Sequence, residues 1–125
     1  MKKYLIGTLA VVLAIGAAAF TAPTAKATTY VQFVGNPSIM ADVQDQVNWE
    51  QAVGIPSCDL IVRKACRIQI DDSKLITNPI NPMEPKTLDP TKVTSINVSH
   101  GIDNVYYVPT NLSGTPGSYT IGNKN

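Results

Sequence analysis

Cys58 and Cys66 stand eight positions apart in the stretch CDLIVRKAC, and the chain contains no other cysteine. Two thiols at that distance can serve a metal, a redox centre, a nucleophile or a covalent staple. Zinc asks for about four ligands in clusters such as C-x2-C, and the single histidine, His100, lies far along the chain. A thioredoxin-like centre asks for C-x-x-C. A catalytic cysteine asks for a histidine partner and an unbonded thiol. Three further groups invite the same question. Ser99, His100 and Asp103 supply the residue types of a hydrolase triad, but triad members converge from separate parts of a fold, and SHGIDN reads as a turn between strands. Asp71-Asp72 supplies carboxylates for calcium, which needs about six to eight oxygens, and reads as a solvated strand end. Asn97 and Asn111 begin glycosylation triplets. There is no P-loop and no G-x-G-x-x-G, so no catalytic, metal or cofactor-binding residue is assigned and no cofactor is expected.

The choice among the cysteine chemistries rests on compartment. The chain opens MKKYLIGTLAVVLAIGAAAFTAPTAKATTY. Lys2 and Lys3 precede an uncharged apolar run from Leu5 to Phe20, and Ala25-Lys26-Ala27 follows as an A-x-A pattern. Charge, apolar run and small-residue exit form a secretory signal peptide, cut between Ala27 and Thr28. The competing reading is a retained anchor, for which the run is short of the roughly 20 apolar residues of a spanning helix. An exported chain meets an oxidising compartment, where a cysteine pair closes, so Cys58 and Cys66 are expected to form a disulfide. A loop of that size stabilises by roughly 2.5 kcal/mol on the chain-entropy model.

Removing residues 1–27 takes away Lys2, Lys3 and Lys26. The ten Lys and Arg fall to seven against nine Asp and Glu, and the formal charge goes from +1 to −2. That balance offers no basic patch for nucleic acid or for an anionic membrane. Residues 28–125 then form one small domain, able to bury roughly two-thirds of its unfolded surface. No repeat or linker divides it.

The elements that must position these residues read as mainly β, after a signal-peptide helix. TTYVQFVG places Val31 and Phe33 on one face, and RIQIDD alternates Ile68 and Ile70 with Arg67, Gln69 and Asp71. KVTSINVS, DNVYYVPT (ended by Pro109) and Tyr119 to Ile121 bring the total to about five short antiparallel strands. The cysteines clamp a hairpin or a tight loop feeding a strand, with Arg63 and Lys64 near its tip in a solvated turn. One short helix is expected, capped by Ser38 and stopped by Gly54, with Ile39, Val43 and Val47 on one face; an end before Trp49 also fits the pattern, and Trp49 reads as a core plug. The stretch 78–90, NPINPMEPKTLDP, reads as a surface loop between strands.

The leader is similar to those of small exported Bacteroidetes proteins of unknown function. VNWE, CDLIVRKACRIQID, YYV and the terminal TIGNKN resemble a recurring layout in that group: an Asn-Trp, a first cysteine, an Ala-Cys followed by alternating residues, and a short polar tail. The resemblance implies no activity, cofactor or catalytic residue. The expected function is that of an uncharacterised exported protein, a non-enzymatic binding or envelope-associated module, periplasmic or extracellular. Its partner is unknown; an envelope or extracellular protein fits, with no nucleic acid and no membrane after signal removal. The alternatives are a secreted inhibitor or toxin and a small hydrolase. Intact-mass measurement on the exported fraction is expected to show a chain beginning at Thr28; full-length protein confined to the membrane pellet would contradict the cut.

Overall fold

The structure, a computed structural model, describes residues 26–59 and 61–124. The expected signal peptide up to residue 25 lies outside them, as do Leu60 and Asn125. Among the described residues there are eight strands: β1 (Thr28–Phe33), β2 (Trp49–Gln51), β3 (Lys64–Asp71), β4 (Leu75–Ile76), β5 (Thr87–Leu88), β6 (Val93–His100), β7 (Tyr107–Gly114) and β8 (Thr120–Lys124). Six of them form one antiparallel sheet in the order β4-β5-β2-β1-β3-β8, and β6 and β7 form a separate hairpin. A helix, α1 (Met40–Gln44), packs against the hairpin. The mainly β class read from the sequence is correct.

The alternation in β1 and β3 dictates which face is buried. Val31 pairs with Ile68 and Thr29 with Ile70, and Val31, Ile68 and Ile70 have no solvent exposure. Paired residues share a face, so Arg67, Gln69, Gln32 and Tyr30 lie on the other one. Val93, Ile96 and Leu112 from the hairpin and Val43 from α1 close over the apolar face. The result is two layers around one core. Each fully buried aliphatic side chain contributes about 1.5–3 kcal/mol.

Several expectations need correction. The helix is far shorter than the stretch from Ser38 to Gly54, and Ser38 does not cap it. Ile39 occupies the cap position without a side-chain bond, while Ser38 donates its N–H to the Asn36 side chain at 3.0 Å. Short polar side chains offer the backbone local alternatives to a helix. Asp45 accepts from the Val47 N–H at 3.1 Å and starts a 3-10 turn at Gln46–Asn48; the Asn48 amide donates to the Asp42 carbonyl at 3.0 Å. Trp49 then enters β2 as a core plug. Its ring meets Phe33 at 5.1 Å, and its indole N–H donates to the Val43 carbonyl at 3.0 Å. Pro109 does not end its strand, because β7 pairs on one side only and Pro109 stands opposite Val98 beside a register irregularity. An irregularity between Val93 and Ser95 shifts the β6 pattern, so Val93 and Ile96 both face inward. The proline-rich stretch is only partly a surface loop: Thr87 and Leu88 form β5, paired with β4 and β2 and buried.

Trp49→Phe removes the indole donor and part of the ring. A loss of roughly 2 kcal/mol is expected, seen as a melting temperature lowered by on the order of 10 °C. An unchanged thermal melt would show that the Val43 bond and the Phe33 contact contribute nothing.

Candidate functional site

Cys58 and Cys66 are joined, with their Cα atoms 6.1 Å apart, inside the span a disulfide tolerates. Cys66 is buried in β3 beside a bulge between Ala65 and Arg67, and of the two neighbours Ala65 joins the core cluster. Cys58 ends a segment that leaves β2 and crosses the polar face of the sheet. Ala52 donates to the Tyr30 carbonyl at 2.8 Å, and Gly54 turns the chain at a φ of +83°, a value glycine adopts without strain. Farther on, the Arg67 guanidinium donates to the Pro56 carbonyl at 2.6 Å while lying 5.4 Å over the Tyr30 ring. The cysteines therefore staple a tight loop feeding a strand.

The loop is also tied to the turn between β6 and β7. The Ile102 N–H donates to the Val62 carbonyl at 2.9 Å. Gly101 lies so close to the Arg63 backbone that a Cβ there would sit 2.3 Å from the Arg63 carbonyl oxygen. Arg63 Nε is 3.4 Å from an Asp103 carboxylate oxygen, and the Lys64 ammonium is 4.9 Å from the Tyr106 ring centroid. Arg63 and Lys64 are thus half-buried and held by partners, which corrects the reading of a solvated turn; Lys64 is the first residue of β3 rather than a loop tip. Asp103 accepts from the Val105 N–H at 3.0 Å. That bond, with the Tyr106 N–H and the Arg63 charge, holds its carboxyl below the usual aspartate range against the opposing effect of burial.

With their polar partners occupied, these two loops turn aliphatic side chains outward. Ile102 is 66% exposed and Val105 56%, and Ile61 and Val62 of the disulfide loop are exposed beside them. These four residues stand exposed on a backbone held by a disulfide, a cross-loop hydrogen bond and an ion pair.

The triad residue types do not form a relay. His100 lies 4.4 Å from the Tyr107 ring, Ser99 Oγ donates to the His100 carbonyl at 3.4 Å, and Asp103 faces Arg63. Ser99 and His100 end β6, paired with Val108 and Tyr107, so only Gly101 to Asn104 of SHGIDN belong to the turn expected. Asp71 accepts from the Ser73 N–H at 2.9 Å, and Asp72 accepts from the Gln51 amide at 3.3 Å. Among the described residues no three His, Cys, Asp or Glu side chains converge as metal ligands. Asn97 and Asn111 stand opposite each other on the exposed face of the hairpin, with the Tyr119 hydroxyl donating to Asn111. The contact of the disulfide loop with the 101–106 turn was missed from sequence; Gly101, directly after a strand, was the one residue that signalled a close backbone approach. Thr28 lies at the opposite end of β1, in a cleft with Asp71, Lys74 and Ser118.

No family model, no curated protein and no solved structure matches the chain.

A Cys58→Ser, Cys66→Ser double variant is expected to lose roughly 2–3 kcal/mol, with a melting temperature lower by on the order of 10 °C; an unchanged melt would remove the staple from the account. The Asp103 carboxyl titrates lower in the folded chain than the roughly 3.9 of an unfolded aspartate. Its contribution is therefore complete above that value and lost as pH falls through the folded value. Asp103→Asn is expected to flatten the acid limb of the stability curve below about pH 4 and to leave its slope near neutrality unchanged. An acid limb identical to the wild type would contradict the assignment.

Proposed function

We propose that the chain is an exported, non-enzymatic binding or envelope-associated protein, released by cleavage after Ala27, and that the surface formed by the disulfide loop and the 101–106 turn is its recognition face. The observation that carries the reading is the combination of exposure and bracing at Ile61, Val62, Ile102 and Val105. Apolar groups displayed on a fixed backbone cost little ordering on association, and exposed aliphatic residues gathered on two joined loops suit an interaction site. The charged groups beside it are paired within the chain, so affinity would come from the aliphatic side chains. The disulfide suits an oxidising compartment, periplasmic or extracellular. The resemblance of the leader and of the cysteine segment to small exported Bacteroidetes proteins supports the same placement. The partner class is an envelope or extracellular protein with an apolar recess.

The test compares the mature chain with an Ile102→Asp, Val105→Asp variant, each immobilised and exposed to an envelope extract from the source cells. Both side chains are exposed, so the variant is expected to melt within about 1 °C of the wild type, surface changes being worth within about 0.5 kcal/mol. One protein retained by the wild type and reduced at least tenfold on the variant is the expected result. Equal retention on both would remove this face from the proposal.

A further inference from the structure

Strand β1 begins directly after the expected scissile bond, with no spacer between them. The Ala27 carbonyl accepts from the Asp72 N–H at 2.9 Å. The Lys26 ammonium is 3.9 Å from an Asp71 carboxylate oxygen. On the other side of the bond, Thr28, Thr29 and Tyr30 pair in succession with Asp71, Ile70 and Gln69, and the Tyr30 carbonyl also accepts from Ala52 on the opposite edge. The backbone on both sides of the Ala27–Thr28 bond is thus committed to the sheet. One residue further, Val31 is wholly buried between β2 and β3.

An endopeptidase that reads an extended segment does so largely through main-chain hydrogen bonds, as an added strand does. Here the edge of that segment facing β3, with the Ala27 carbonyl, is already paired, and access to the segment is limited to its other edge. We propose that folding and removal of the leader compete for the same segment: the Ala27–Thr28 bond is cut only while β1 is out of the sheet, and a precursor that folds first keeps its leader. The inference rests on the exported reading above. Hydrolysis adds one water across the amide, breaks the C–N bond, and leaves a carboxylate on Ala27 and an ammonium on Thr28. The released chain loses the Ala27 acceptor and the Lys26 charge together. The new ammonium stands on the residue paired with Asp71 and restores a cation at that end of the strand. Freeing residues 28–30 requires an opening that draws on the stability of the core, so cutting of the folded precursor should scale with the population of open chains.

The test uses full-length precursor in detergent micelles, oxidised and folded as judged by Trp49 fluorescence, mixed with processing-competent membranes from the source cells. A second sample is full-length Ile68→Asp, which places a carboxylate in the core and leaves the residues around the cleavage site unaltered. Intact mass is followed with time for loss of residues 1–27. The expected result is prompt cutting of Ile68→Asp after Ala27 and cutting of the folded wild type slower by at least about 100-fold. The wild-type rate should rise through its melting transition, an arm that needs no substitution. Equal rates for both samples, with no rise through the transition, would overturn the competition and leave the exported reading intact. No cutting of either sample at any temperature would overturn the exported reading, and the inference with it.

Discussion

Both edges of β1 are used, by β2 on one side and β3 on the other, and the rest of the molecule hangs from that arrangement. Val31 sets the depth of the core opposite Ile68, and Phe33 sets the place of Trp49. The same strand lends its Tyr30 carbonyl to anchor the segment that runs to Cys58, and its Tyr30 ring to support Arg67. The sheet is incomplete until residues 28–33 are in place, so this segment is part of the core.

What could be read from the sequence follows how far each signal reaches along the chain. Alternation in TTYVQF and RIQID spans enough residues to declare a face, and those strands are where the pattern puts them. Two- and three-residue strands carry no period of their own; β2, β4 and β5 exist because neighbours offer backbone partners. The bulge after Val93 breaks the alternation, which hid the inward turn of Ile96. The helix expected to run on from Ser38 gave way to tertiary demand: Trp49 is wholly buried as a strand residue against Phe33. The cysteine pair was legible because compartment and count constrain it together. Its docking onto Gly101, Ile102 and Asp103 was not, because those contacts join segments far apart in the chain and leave no local trace beyond a glycine.

The two ends of the molecule differ in how they are held. At the Thr28 end, ordinary sheet pairing and ion pairs of exposed lysines with Asp71 and Asp72 do the holding, and exposed pairs of that kind contribute little. At the other end, a covalent bond closes one loop, and a hydrogen bond, a glycine contact and an ion pair fix that loop to the 101–106 turn. Rigid display of Ile102 and Val105 therefore depends on the disulfide loop, while the sheet depends on its own apolar face. Loss of the disulfide should loosen the 101–106 turn before it loosens the core.

Amide hydrogen exchange on the oxidised and the reduced protein under native conditions tests that division most directly. The account predicts that reduction strips protection from Ile102, whose N–H bonds to Val62, and from Gly101, whose N–H bonds to Tyr106, while the amides of β1 and β3 between Val31 and Ile68 remain the slowest in the chain. Equal loss of protection in the turn and in those strands, or unchanged protection at Ile102, would contradict it.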